Sequence, residues 1–316
     1  MLLFSSFYIR KYIDMHFVKG LIISLSCSLL LWNCQSPERS KNEGYVVENP
    51  SELQESKAIT SFEQWLKDPQ PLVSAHRGGP YPGFPENAIE TFQNIANKMA
   101  TIIECDISMT KDSVLILMHD ETLARTTNGK GNVTDIMYDD VQKLFLVDNE
   151  GDSTSFGIPT LDETLAWGKG KALFTLDVKR GVPFEKVIAI LDKYDAASYA
   201  AIITYRIQDA KVVYSLNPDI IISVSAGDDG AITQIMESDI PTKNLLGFVG
   251  TSEPDRTHYE KLQKMGVKTI LGTLGNLDKR AEARGNDNIY LTYIENGANI
   301  LATDRPLEVA VVLNTK

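Results

Sequence analysis

From residue 72 onward the chain alternates short apolar runs with amphipathic stretches, and no other feature restricts its fold as much. Nine runs have strand length: residues 72–75, 102–107, 114–118, 173–178, 201–204, 220–224, 245–249, 267–271 and 299–302. Helical periods separate several of them, and residues 88–99 place Ile89, Phe92, Ile95 and Met99 on one face. Strands that alternate with helices assemble into a mostly parallel sheet, because each helix carries the chain back to begin the next strand. Residues 61–316 suit a single α/β barrel of eight strands. Nine candidates for eight places leave one in surplus. Residues 108–113 are too few for a helical crossover, so the second and third runs must join irregularly. Between 121 and 158 the spacing opens into a polar, Gly- and Asp-rich excursion, read as a small insertion after the third strand.

The N-terminal segment follows other rules. Met15 opens a basic start, an apolar run extends from Leu21 to Trp32, and Asn33-Cys34-Gln35-Ser36 follows. That run is well short of the roughly 20 residues a bilayer span needs, and reads instead as a secretory signal. Leu31, three places before Cys34, resembles part of a bacterial lipobox, in which the cysteine is lipidated and becomes the first residue. Met15 alone opens a well-formed signal, so residues 1–14 read as upstream sequence. Residues 34–60 are rich in Ser, Glu, Asn and Lys without an apolar period, the composition of a flexible tether. The expected organisation is a signal peptide over 1–33, a tether over 34–60 and a barrel over 61–316. The expected location is the cell envelope or periplasm, with attachment to the membrane through Cys34.

Charge narrows the partners. With 31 Lys and Arg against 42 Asp and Glu, the formal charge is −11. A nucleic-acid binder needs a basic stripe to displace counterions, so nucleic acid is excluded as a partner. The three cysteines, Cys27, Cys34 and Cys105, form neither a disulfide scaffold nor a zinc pattern. Any metal would have to be held by oxygen.

Polar residues gather at the strand ends. The first run ends in His76-Arg77-Gly78-Gly79, the second carries Glu104-Cys105-Asp106, the third ends in His119-Asp120, and the fourth carries Asp177-Val178-Lys179. Side chains alternate across a strand, so Glu104 and Asp106 share one face and Ile103, Cys105 and Ile107 the other. In a barrel the apolar set meets the helices and the two carboxylates point inward. Crowded carboxylates resist ionisation unless a cation sits between them. A hard divalent metal with oxygen ligands fits, and Arg77, Lys179, His76 and His119 around it suit a phosphate substrate.

These residues resemble the glycerophosphodiester phosphodiesterase family of phospholipase-C-like barrel enzymes. The shared pieces come in order: His76-Arg77-Gly78, Pro85-Glu86-Asn87, Glu104-Cys105-Asp106, Thr110-Lys111-Asp112, His119-Asp120 and Leu123 to Gly131. Ile158 to Glu163, Asp177-Val178-Lys179 and Thr303-Asp304-Arg305-Pro306 complete the series. The resemblance implies a distorted (β/α)8 TIM barrel that hydrolyses glycerophosphodiesters to glycerol phosphate and an alcohol, with one bound Mg²⁺ or Ca²⁺. It implies His76 and His119 as the acid–base pair, with Glu104, Asp106 and Asp177 as metal ligands. Arg77 and Lys179 match groups near the phosphate, and Glu86 and Asn87 match a motif lining the same site. Two departures stand out. The family usually has Glu where Asp177 stands, and a Trp-Thr-Val-Asn stretch where this chain reads Gly272-Thr273-Leu274-Gly275-Asn276.

Structural roles are expected for other residues. His16 and His258 read as hydrogen-bonded structural histidines, and Cys105 as an inert packed thiol. Asn87 with Glu90 has the spacing to cap the helix over 88–99, and Thr160 with Glu163 that of a capping box. Asp304 reads as a turn or strand-end residue rather than a ligand. Gly78-Gly79 and Gly129-Lys130-Gly131 are compatible with phosphate cradles or plain turns. Two alternatives stay open: a phospholipase- or sphingomyelinase-D-like enzyme acting on intact lipids, and a non-catalytic ligand-binding lipoprotein on the same barrel.

Overall fold

A computed structural model describes residues 59–314. The signal segment, Met15, His16, Cys34 and nearly all of the tether lie outside the described residues.

All nine apolar runs form strands: β1 (Leu72–Ala75), β2 (Ile102–Met109), β3 (Leu115–Leu117), β4 (Leu173–Val178), β5 (Ala200–Thr204), β6 (Ile222–Ser225), β7 (Leu245–Phe248), β8 (Lys268–Gly272) and β9 (Ile300–Thr303). None is spurious. Eight of them pair in parallel, and the β1–β2 and β1–β9 ladders close the sheet into a barrel. The surplus strand is β3, which pairs antiparallel with the far end of β2, Ser108 opposite Ile116. The irregular join expected between them is therefore a hairpin, turned at Thr110–Ser113 with Ser113 at φ 69°. Thr110 stabilises that turn by accepting from Val114 N at 3.0 Å and donating to Asp112 at 2.7 Å.

The strands are buried on both faces, which is why they read as near-continuous apolar runs. Helices cover the outside. Phe92 of helix Ile89–Ala96 and Trp167 of helix Leu161–Gly168 meet Phe174 of β4, with ring centroids 6.3 Å apart in both pairs and tilted edge-on. Such pairs add about 0.5–1.5 kcal/mol each beyond burial, and here they fix two helices against a strand that carries a site residue. Thr160 and Glu163 form the complete capping box that starts helix Leu161–Gly168.

Residues after β3 leave the barrel. Leu123, Val133, Val141, Leu146 and Ile158 bury themselves with Ile116 and Met118 in a second, smaller apolar cluster. The excursion is thus packed on β3, at the end of the barrel where β2 and β4 present their C-termini.

Candidate active site

Strand register brings the carboxylates together. In the parallel β2–β4 ladder Asp106 stands opposite Asp177, and Glu104, two residues earlier on β2, shares their face. Ile103, Cys105 and Ile107 point the other way into the core, fully buried. Burial holds the Cys105 thiol well above its usual range, as befits a packed, unreactive group. One oxygen from each of Glu104, Asp106 and Asp177 lies within 4.8 Å of the others. Ligand oxygens around a cation with bonds of about 2.1–2.5 Å are roughly 3–5 Å apart, so this donor set fits a hard divalent ion.

Electrostatics support the same reading. Burial, then the neighbouring charge of Asp106, pushes Glu104 up to about 8. Burial would raise Asp106 as well, but the Lys179 ammonium and the Asn87 amide outweigh it and hold the carboxyl below its usual range. Lys179 Nζ lies 2.6 Å from Asp106 Oδ1 and 2.7 Å from Asp177 Oδ2. Lys179, expected near the phosphate, therefore spans two of the three carboxylates. Tyr205, which follows β5, donates its hydroxyl to the other Asp177 oxygen at 3.0 Å.

The segment after β1 is a tight turn, His76–Gly78, in which Arg77 adopts φ 51°. A non-glycine residue in the left-handed region is costly, and here the turn aims Arg77 N at Glu104 Oε2, 2.7 Å away. Gly78, at φ 85°, has no room for a side chain: a Cβ would lie 2.2 Å from the Phe92 ring. Arg77 Nη1 binds both oxygens of Glu86, at 3.1 and 3.0 Å. Its Nε is buried without a hydrogen-bond partner, 3.9 Å from Asp106 Oδ2. Asn87, also left-handed at φ 58°, donates to Asp106 Oδ2 at 2.7 Å and accepts from Asp106 N at 2.9 Å. The capping role considered for Asn87 is not what the structure shows. The helix is preceded by Ala88, without a side-chain cap, and the Asn87 amide belongs to the carboxylate cluster.

Each histidine is backed by a carboxylate. His76 Nδ1 lies 2.7 Å from Asp304 Oδ1, and His119 Nδ1 lies 2.7 Å from Asp120 Oδ1. A carboxylate can only accept, so Nδ1 carries the proton and Nε2 is left as the ring nitrogen able to take up another. Burial alone would depress His76, but the Asp304 hydrogen bond together with the charges of Glu104 and Asp304 raises it above its usual value. Asp304 is itself fixed: its second oxygen accepts from Gly275 N at 3.0 Å, and its own N–H donates to buried Asp278 at 2.8 Å. Asp304 is, as expected, the residue just past the end of β9 and outside the carboxylate group that could hold a metal, and the structure adds to that reading its contact with His76. Asp120 is held by two bonds from Arg125, at 2.7 and 2.8 Å, and Arg125 continues to both oxygens of Glu86 at 2.8 Å. Glu86 thus stands behind the site, between Arg77 and Arg125.

His76, Arg77, Glu104, Asp106, His119, Asp177 and Lys179 line one cavity of about 360 Å³. Three residues that matter to it, Arg125, Tyr205 and Asp304, carried no assigned site role in the sequence. Arg125 and Asp304 lay inside shared motifs; Tyr205 had no signal beyond its place after a strand. The wall opposite the carboxylates contains Phe248 and Leu274. An aromatic ring is present after all, supplied by β7 instead of the 272–276 stretch. Gly272 makes room for it, since a Cβ there would press on the Phe248 ring at 3.0 Å. His258, outside the site, bonds the Ala226 carbonyl through Nε2 at 2.6 Å.

Residues 76–290 match the model of the glycerophosphoryl diester phosphodiesterase family. A glycerophosphodiester phosphodiesterase from Caldanaerobacter subterraneus is 34% identical over 150 residues, covering 44% of this chain and 61% of that protein. Human glycerophosphodiester phosphodiesterase 1 is 39% identical over 95 residues, 29% of this chain and 28% of the relative. The chain therefore aligns with less than two thirds of the length of these curated relatives. Among solved structures, a glycerophosphoryl diester phosphodiesterase from Parabacteroides distasonis superposes with a TM-score of 0.76 at 31% identity, covering 82% of this chain and 94% of that one. The chain belongs to the glycerophosphoryl diester phosphodiesterase family.

Proposed function

We propose that the protein is a divalent-metal-dependent hydrolase that cleaves glycerophosphodiesters into glycerol phosphate and a free alcohol. The observation that carries this reading is the convergence of two carboxylate-backed histidines, three carboxylates, Arg77 and Lys179 on one small cavity. Hydrolysis of a phosphodiester adds water across one P–O bond. One imidazole accepts the proton of the attacking hydroxyl, from water or from the substrate itself, and the other donates a proton to the departing alkoxide. Asp304 and Asp120 keep both rings in the tautomer this exchange needs. Glu104, Asp106 and Asp177 would hold Mg²⁺ or Ca²⁺, which supplies positive charge to the phosphoryl oxygens. The unpartnered Nε of Arg77 supplies a donor on the same side.

Release of free alcohol from glycerophosphocholine and glycerophosphoethanolamine, with Mg²⁺ or Ca²⁺ and with EDTA, tests the reading. Turnover that EDTA abolishes and metal restores is expected. No turnover of any diester with metal present overturns it and favours a binding scaffold.

The sequence from Met15 to Cys34 supports export and attachment to the membrane through Cys34, so that the enzyme would meet diesters released from phospholipids in the envelope. Labelled fatty acid should enter the protein and be lost in Cys34→Ala; incorporation by that variant, or none by the native protein, rejects the anchor.

A further inference from the structure

Beside the catalytic pocket, across Tyr205, lies a second cavity of about 610 Å³ formed by the segments that follow β4 and β5. Asp177, Lys179, Thr204 and Tyr205 border both spaces. Tyr205 is the partition between them: its hydroxyl is tied to Asp177 at 3.0 Å, yet the residue is 67% exposed. A ring held at its tip and open on its faces is a fixed surface past which a flexible substrate arm can lie.

The charges around the outer cavity do not cancel. Lys179 is committed to Asp106 and Asp177, and Arg206 makes two bonds to Asp209, at 2.7 and 2.9 Å. Arg180 borders the cavity and forms no ion pair with a carboxylate among the described residues. One positive charge is left over at the mouth of a space that opens directly from the catalytic centre.

A diester has two arms on its phosphorus. The inner pocket ends in Ser74, Thr175 and Ser223, buried hydroxyl-bearing residues on strands β1, β4 and β6, one side-chain layer below His76 and Asp177. Those hydroxyls suit the hydroxyl groups of a glycerol arm. The other arm has a way out past Tyr205, into the outer cavity. We propose that the outer cavity is the subsite for the leaving alcohol, and that Arg180 selects alcohols bearing negative charge, such as a carboxylate-bearing seryl head group, over a cationic choline. This inference rests on the diesterase reading and adds to it a class of substrate.

The test compares glycerophosphoserine with glycerophosphocholine. In Arg180→Ala the ratio of their kcat/KM values should fall about 2- to 5-fold, the effect of one exposed charge pair, and further in Arg180→Glu. Raised salt should reduce the preference of the native enzyme. A ratio within twofold of the native value in both variants overturns the subsite. Calorimetric binding of the same diesters to His76→Ala with Mg²⁺ present, with and without Arg180→Glu, reads selection without turnover. Arg180-dependent selection in His76→Ala, with no hydrolysis of either diester by the native protein, would retain the subsite and reject the hydrolase; binding insensitive to Arg180 rejects the subsite.

Discussion

His76 Nδ1 and Asp304 Oδ1 stand 2.7 Å apart although 228 positions separate them, because β1 and β9 are neighbours in the closed barrel and both end at the site. The pair exists only through closure: Ala75 is in register with Thr303, so the residues that follow each strand meet. His119 and Asp120 make the same contact at 2.7 Å between adjacent residues. Both histidines are thus carboxylate-backed, by two unrelated routes.

Removing the charge of Asp304 should move His76 first. Burial opposes protonation of the ring and the Asp304 contact is foremost among the effects that overcome it, so Asp304→Asn lowers the His76 pKa. Whichever limb of the pH–kcat/KM profile His76 carries should shift to lower pH, with kcat reduced about 10- to 10³-fold. A His76 ring titration followed by NMR that is unchanged in Asp304→Asn would show that the contact does not tune it.

Arg125 should matter as much as residues that line the cavity. It holds Asp120 behind His119 and half of Glu86, a carboxylate only 3% exposed. Arg125→Ala leaves Glu86 to Arg77 alone and frees Asp120 to turn away. A loss of about 1–3 kcal/mol in stability is expected, from a buried carboxylate stripped of one partner. A larger fall in kcat than rise in KM should accompany it, as assayed on any accepted diester. Lysine in its place should recover less than half of the effect, since it cannot bridge two carboxylates with a planar fork.

Much of this arrangement was legible in the chain. All nine strands stood at their apolar runs, and the alternation Glu104-Cys105-Asp106 already told which side chains faced inward. What escaped were relationships set by closure and side-chain rotamers. No local pattern says that Asp304 returns to His76, that Phe248 of β7 lines the cavity, or that β3 folds back antiparallel. The Asn87 position shows the limit clearly: its spacing to Glu90 satisfied a capping rule, while its left-handed backbone turned the amide onto Asp106 instead.

Glycine 78 is required by shape. Gly78→Ala forces a Cβ to 2.2 Å from the Phe92 ring and into a backbone region that L-residues avoid at φ 85°. The expected cost is about 2–4 kcal/mol, read as a lower denaturation midpoint. Adding Phe92→Leu should recover part of it by removing the ring, whereas no recovery would place the cost in the backbone alone.

Metal binding should release protons. With no cation bound, Glu104 is pushed up to about 8, first by burial and then by Asp106, so near pH 7 it holds a proton that a ligand carboxylate cannot keep. Calorimetric enthalpies of Mg²⁺ or Ca²⁺ binding should therefore depend on the ionisation enthalpy of the buffer. The stability of the metal-free protein has a matching sign. Between the ordinary 4.5 of an unfolded Glu and about 8, the folded state binds more protons, so stability falls as pH rises through that window. Glu104→Gln should flatten this slope in EDTA, and a buffer-independent enthalpy in the native protein would reject the protonated carboxyl.

Lys179 and the cation compete for the same charge. Its ammonium lies 2.6 Å from Asp106 and 2.7 Å from Asp177 and so places a positive charge between two buried carboxyl groups. Those carboxylates hold the Lys179 pKa above its usual value against the pull of burial, so the charge persists across the physiological range. Lys179→Met removes a positive charge next to two proposed ligands, and the divalent ion should then bind more tightly, by about tenfold or more. The same change should lower kcat if Lys179 faces the phosphate as proposed, because a positive charge lining the cavity has gone. Tighter metal binding with slower turnover separates a competing, substrate-facing lysine from one that merely packs, for which both quantities would fall together. Weaker metal binding in Lys179→Met would mean that the lysine organises the carboxylates for the ion instead of standing in for it.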